Sequence, residues 1–231
     1  MIAVIGDIHG CYYTLTELVE KINDKYPSIK IYSVGDLVDR GNFSYEVIEF
    51  VKSQNIRFTP GNHDYMFCYF IRQSGSQMAN VWLYNGYEKT LASYNRHNDE
   101  VSAHLDLIMQ VPLFLNLKDC FISHAGISKY YESILPEYFQ SDLSILGNII
   151  RNDLEKSESI LWTRGELLNI GKLQVVGHTR REKVEFKKKN NVVYIDTSVY
   201  LMNKLSAVII EDNNILDILS VATKAEDMKN S

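Results

Sequence analysis

The chain has 231 residues, 45% of them hydrophobic, which is enough apolar side chain for one sizeable core. Its formal net charge of −5 argues against general nucleic-acid binding, which relies on surplus Lys and Arg to neutralise phosphates, but leaves small phosphorylated ligands open. Three scattered cysteines, Cys11, Cys68 and Cys120, exclude a disulfide framework or a thiolate metal site, and their odd number fits a reducing compartment.

Ile2–Ile5 is a short apolar run stopped by Gly6 and reads as a buried strand. It is too short for a signal peptide, and no run approaches a membrane span, so a cytoplasmic setting away from the membrane is expected. Thr14-Leu15-Thr16-Glu17 has capping-box spacing, and Leu15, Leu18, Val19 and Ile22 follow at helical intervals, which predicts a helix starting there. Lys30–Val34 reads as a second strand, Val47, Ile48 and Val51 as the apolar stripe of a second helix, and Arg57–Pro60 as a third strand. Strand, glycine-acid loop, helix, repeated, predicts an α/β core with its polar residues at the carboxyl ends of the strands.

Residues 65–110 read as helical and aromatic-rich, with Phe67, Tyr69, Phe70, Trp82, Tyr84 and Tyr87 expected to pack inward as a helical cap rather than to form a stacking surface. Leu113–Leu117 and Cys120–Ser123 follow as strands, and Gln174–Val176 as another. Val192–Ile195, Ala207–Ile210 and Ile215–Leu219 read as antiparallel strands. The basic run from Arg180 to Lys189 is expected to be a solvated hairpin whose lysines guard an edge strand, with attraction of a polyanionic substrate as the alternative. With 4 prolines and no linker-like stretch, residues 1–223 are expected to form a single domain and 224–231 a loose tail.

Five motifs pair metal-binding or acid–base side chains with glycine: Gly6-Asp7-Ile8-His9-Gly10, Gly35-Asp36-Leu37-Val38-Asp39-Arg40-Gly41, Gly61-Asn62-His63-Asp64, Ser123-His124-Ala125-Gly126 and Gly177-His178-Thr179. Each follows an apolar run. Asp7 and His9, two apart at a strand end, can turn toward one ion where glycines let the loop bend. Asp36 adds a carboxylate able to bridge two ions, and Asn62, His124 and His178 add an oxygen and two imidazoles. This mixed N/O set without thiolate suits manganese, iron, zinc or cobalt, with identity set by availability more than by affinity, and two divalent ions, manganese foremost, are the expected cofactors. A metal ion lowers the pKa of water enough to supply a nucleophile at neutral pH, and two ions together stabilise entering and leaving oxygens. The ordered set therefore describes a two-metal hydrolase.

The Asp-x-His, Gly-Asp-x-x-Asp-Arg-Gly and Gly-Asn-His-Asp signature, spread from Gly6 to about Asp196, resembles the phosphoprotein phosphatase family of calcineurin-like metallophosphoesterases. The resemblance is greatest to its small bacterial and phage branch, which holds protein serine/threonine/tyrosine phosphatases and symmetrical diadenosine tetraphosphate hydrolases. It implies an α/β fold, a β-sandwich of two mixed sheets flanked by helices, with a dinuclear centre between the sheets. Carried over, Asp7 and His9 bind one metal, Asp36 bridges both, and Asn62, His124 and His178 complete the second. His63 becomes the general acid oriented by Asp39, and Arg40 and Arg164 hold phosphoryl oxygens, joined there by Asn62. Asp64 stands where eukaryotic relatives usually have glutamate, and two further departures are Ser198, in a loop near the site where relatives commonly carry glycine, and Gly86-Tyr87, where many bacterial relatives have two glycines. The leading expectation is a metal-dependent phosphatase of phosphoproteins, with a symmetrical dinucleoside polyphosphate hydrolase as the rival and a non-catalytic binding module as a third reading. A phosphorylated protein or small phosphoester is the expected partner, and no nucleic acid.

Overall fold

The computed structural model describes residues 1–229. In chain order the elements are β1 (Ile2–Ile5), α1 (Tyr12–Lys25), β2 (Lys30–Ser33), α2 (Ser44–Ser53), β3 (Arg57–Phe58), α3 (Asn62–Arg72), α4 (Gln77–Trp82), α5 (Tyr87–Tyr94), α6 (Val101–Gln110), β4 (Phe114–Asn116), β5 (Phe121–Ser123), α7 (Leu146–Ile150), β6 (Gln174–Val176), β7 (Glu185–Lys187), β8 (Val192–Tyr194), β9 (Lys204–Glu211), β10 (Asn214–Ala222) and α8 (Ala225–Met228). They form two mixed five-stranded sheets flanked by helices, ordered β10-β9-β1-β2-β3 and β4-β5-β6-β8-β7.

Strand β1 is buried on both faces, which explains its unbroken apolar run. Its side chains alternate. Ile2 and Val4 join Tyr32, Ile122, Val175, Val193 and Val208 in the core between the sheets, whereas Ala3 and Ile5 join Leu15, Leu18 and Ile22 of α1 in the core beneath the helices. The stripe Val47, Ile48 and Val51 of α2 is likewise buried. Strands β1, β2 and β3 run parallel, as do β5, β6 and β8. Each set therefore delivers its following loops to one edge of its sheet.

Several expectations change. Helix α1 begins at Tyr12, and Thr14 caps nothing as a box. Instead Asp227 of α8 reaches across and accepts the Tyr13 and Thr14 backbone N–H groups, each at 2.9 Å, and the Thr14 hydroxyl at 2.6 Å. A carboxylate from the far end of the chain thus satisfies the first turn and faces the positive end of the helix dipole. Residues 224–229 are consequently no loose tail, since Asp227 is buried; 230 and 231 lie outside the described residues. Arg57–Pro60 shrinks to a two-residue strand, because Pro60 lacks an N–H for the ladder. Val192–Ile195 does not pair with the two strands that follow it: β8 belongs to the other sheet, parallel to β6 and antiparallel to β7, while β9 pairs with β1 and β10. Of the cap aromatics, Phe67 and Trp82 are buried, but Tyr84 is 89% exposed and does not pack inward. Strand β7, inside the basic run, is an edge strand as expected.

Candidate active site

The five glycine motifs meet at the shared edge of the two sheets. Asp7 follows β1, Asp36 follows β2, Asn62 and His63 open α3 after β3, and His124 and His178 follow β5 and β6. The turns are tight enough that His9, Asp36, Asp39, Arg40 and His178 all take positive φ, a conformation costly for side-chain-bearing residues and found where a site over-determines the backbone. Two glycines are needed for a different reason. A Cβ on Gly61 would lie 2.0 Å from Asp36 Oδ1, and one on Gly177 would lie 1.8 Å from Asp7 Oδ1. Each carboxylate occupies the space a side chain would fill.

Each of three histidines turns one ring nitrogen to a backbone carbonyl and the other inward. His9 Nδ1 meets Val38 O at 3.0 Å, His124 Nδ1 meets Val34 O at 2.9 Å, and His178 Nε2 meets Trp162 O at 3.1 Å. Those carbonyls only accept, so they take the ring proton and leave the inward nitrogen as a lone pair. Burial pushes all three histidines below their ordinary range, toward the neutral ligand form. The inward nitrogens, His9 Nε2 and His124 Nε2, lie 3.6 and 3.5 Å from Asp36 Oδ2. Asn62 Oδ1 stands 2.9 Å from both His124 Nε2 and His178 Nδ1.

Around Asp36 and Asn62 these are acceptors facing acceptors, an arrangement that a cation satisfies, and His9 Nε2 is also met by the cationic Arg40 Nη1 at 3.2 Å. The geometry fits two such positions sharing Asp36, since ligand atoms of His9, Asp36 and His63 cluster within 4.8 Å of one another, as do those of Asp7, Asp36 and His124. Charge tells the same story. Asp7 is raised well above the usual carboxylate range, first by burial and then by Asp196 and Asp36, and Asp196 is raised mainly by burial. Asp36 is held below that range by its surrounding histidines in spite of burial. Crowded carboxylates kept from water call for positive charge.

The expected pair of His63 and Asp39 is in direct contact. His63 Nδ1 meets Asp39 Oδ2 at 2.6 Å, while its Nε2 accepts from Arg40 Nη2 at 2.9 Å. Asp39 is fixed in turn by the cap: Trp82 Nε1 donates to Oδ2 at 2.7 Å and Thr90 Oγ1 to Oδ1 at 2.6 Å. Neither Trp82 nor Thr90 stands out in the sequence, because they reach Asp39 from helices 43 and 51 residues away along the chain. Asp64 is not a site residue. It bridges the Leu37 and Gly61 N–H groups at 2.8 Å each, tying two motif loops together, while burial and Asp36 push it up to about 8.

A polar cavity of about 170 Å³ opens over this centre. Arg40, Arg164 and Arg180 line it together, with Asp196 and Tyr200. Tyr200, absent from the motif reading, carries the Arg40 guanidinium 4.0 Å over its ring and meets His9 edge-on at 4.9 Å. Arg164 Nη1 donates to His178 O at 3.1 Å. Two of the departures noted in the sequence lie here as well. Ser198 takes φ 58°, where glycine is easier, with its N–H on Asp196 Oδ1. Gly86 accepts the Arg40 N–H, and a Cβ there would crowd the Arg40 side chain at 3.1 Å.

Comparison with known proteins agrees with this architecture. Residues 1–209 match the family model described as calcineurin-like phosphoesterase. A bis(5'-nucleosyl)-tetraphosphatase PrpE [asymmetrical] from Oceanobacillus iheyensis is 29% identical over 236 residues, covering 89% of this chain and 87% of the relative. Its namesake from Halalkalibacterium halodurans is 33% identical over 144 residues, 54% of this chain and 56% of that protein. Among solved structures, the cold-active protein-tyrosine phosphatase of a psychrophilic Shewanella superposes with a TM-score of 0.63 at 19% identity, covering 96% of this chain and 80% of that one, a likeness of fold alone.

Proposed function

The chain belongs to the calcineurin-like phosphoesterase family, and from that premise we propose that it hydrolyses a phosphoanhydride of a dinucleoside tetraphosphate through a dinuclear metal centre. The observation that carries the substrate class is the trio Arg40, Arg164 and Arg180 around one small polar cavity. A single phosphoryl group needs one or two such forks; three suit a polyphosphate. The names of the relatives lend support. They also shift the expected cut from symmetrical to asymmetrical, with a nucleoside triphosphate and monophosphate as products rather than two diphosphates.

Asp7 and His9 would hold one ion and Asn62, His124 and His178 the other, with Asp36 within reach of both and manganese the first ion to test. When bound, the ions supply Lewis acidity that lowers the pKa of water and draws charge from phosphoryl oxygens. Arg40 leaves His63 Nε2 for a phosphoryl oxygen, and Tyr200 guides that swing by holding the guanidinium over its ring. Once vacated, His63 Nε2 takes up a proton from water and delivers it to the leaving oxygen, while Asp39 keeps the ring aimed and balances the imidazolium charge. Arg164 and Arg180 bind the remaining phosphates.

The phosphoprotein reading uses the same centre and is favoured by one feature, a cavity small enough for a single phosphoryl group. A side-by-side assay of the manganese-loaded protein separates the two. The expected result is a higher kcat/KM for diadenosine tetraphosphate, with ATP and AMP as products, than for phosphoserine or phosphotyrosine peptides. Preference for the peptides overturns the dinucleotide reading. The three buried free cysteines support a reducing, cytoplasmic setting.

A further inference from the structure

A second cavity, of about 260 Å³, lies behind Trp162 and is lined by Met78 and Val81 of α4, by Trp162 itself, and by Gln77, Glu155 and Ser157. We propose that this slot binds a purine base of the substrate, stacked on Trp162. The inference rests on the dinucleotide reading for its biological meaning and on the slot's own chemistry for its occupant.

Three features specify a base. First, the slot is lined by an aromatic ring and two apolar side chains, the residue types on which a π-face is held. Second, the polar groups of Gln77, Glu155 and Ser157 supply an amide, a carboxylate and a hydroxyl able to meet the donors and acceptors on a purine edge. Third, the slot is joined to the phosphate cavity by a short piece of chain. The Trp162 ring stands 6.3 Å from the His178 ring, its carbonyl receives His178 Nε2, and Arg164, two residues on, lines the phosphate cavity. Trp162 therefore borders the slot while the same loop, two residues on, reaches the phosphate cavity, which makes the two cavities neighbours. The cap thus contributes to the ligand through Met78 and Val81 of α4.

The test uses adenosine, which has no phosphate for the metals or arginines, on the full manganese-loaded chain. Two variants close the slot from opposite walls: Val81→Arg from the half-buried face of α4 and Ser157→Arg from an exposed loop. Wild type should bind adenosine with saturable quenching of tryptophan fluorescence, and both variants should lose it. Both should raise KM for diadenosine tetraphosphate about 10- to 100-fold, the range for loss of one stacked base, while p-nitrophenyl phosphate turnover stays at the wild-type value and certifies the fold. Unchanged KM in both active variants, or no adenosine binding by wild type, overturns the slot. If wild type prefers phosphopeptides yet adenosine still binds and the variants abolish it, the slot stands and the dinucleotide reading falls. If diadenosine tetraphosphate is hydrolysed with the same KM in all three proteins, the reading stands and the slot falls.

Discussion

The two sides of the candidate site are held by different means. On the sheet side, His9, His124 and His178 are each oriented by a backbone carbonyl, and Asp7 by the His178 N–H, so the ligand set leans on main chain. On the cap side, the Asp39–His63 pair is oriented by side chains, the Trp82 indole and the Thr90 hydroxyl. Main-chain anchors survive substitution nearly anywhere, because the carbonyl remains whatever the residue. Side-chain anchors do not. Metal binding should therefore be the robust half of the site and acid catalysis the tunable half.

The hardest blow to the sheet side is Asp36→Asn, which removes the one group common to both ligand clusters. We expect bound metal below that of wild type at both positions and turnover near the metal-free background, read by elemental analysis and p-nitrophenyl phosphate assay. Two ions retained in full would break the idea of a shared carboxylate.

Next in size is His63→Asn. Turnover should fall ~10²–10⁴-fold, the usual general-acid contribution, with metal content intact. The fall should be smaller on p-nitrophenyl phosphate, whose leaving group needs little protonation. Metal loss in this variant would move His63 to the ligand side, where its place in the cluster with His9 and Asp36 makes it a structural candidate.

The comparison is sharpened by the cap anchors. Trp82→Phe and Thr90→Val each delete a hydrogen bond to a buried carboxylate, worth about 1.5–3 kcal/mol, and Thr90→Val also removes an acceptor of the Asp39 N–H. We expect kcat to fall by roughly 10-fold or more on that scale, with KM and metal content unchanged. Thr90→Ser keeps the hydroxyl and should stay near wild type. A drop in metal occupancy, or an equal loss in Thr90→Ser, would show that the cap supports the fold rather than the pair.

The smallest effect lies outside both sides. Asp227→Ala strips the first turn of α1 of its side-chain partner and should cost about 1 kcal/mol of stability, as helix caps do, with kcat unchanged. Denaturant titration reads the first and the steady-state assay the second.

Local pattern accounts for much of this protein. The unbroken apolar run of β1 and the stripe Val47, Ile48 and Val51 in α2 reflect burial that each element needs whatever its neighbours. The glycine-flanked motifs are legible for a similar reason: a strand that must stop, turn and present a polar side chain has few residues to do it with, as Gly61 and Gly177 show. What the sequence could not disclose is pairing across distance. Asp227 at the first turn of α1, β8 in the other sheet beside β6, Tyr200 beneath Arg40, and Trp82 and Thr90 behind Asp39 are all contacts between residues far apart in the chain, with no periodicity to announce them. Sequence by itself determined the kind of chemistry, because ligands and turns are local. Only the tertiary structure decided how the acid is aimed and what surrounds the phosphates, because those depend on which distant side chains the packed sheets and cap bring into reach.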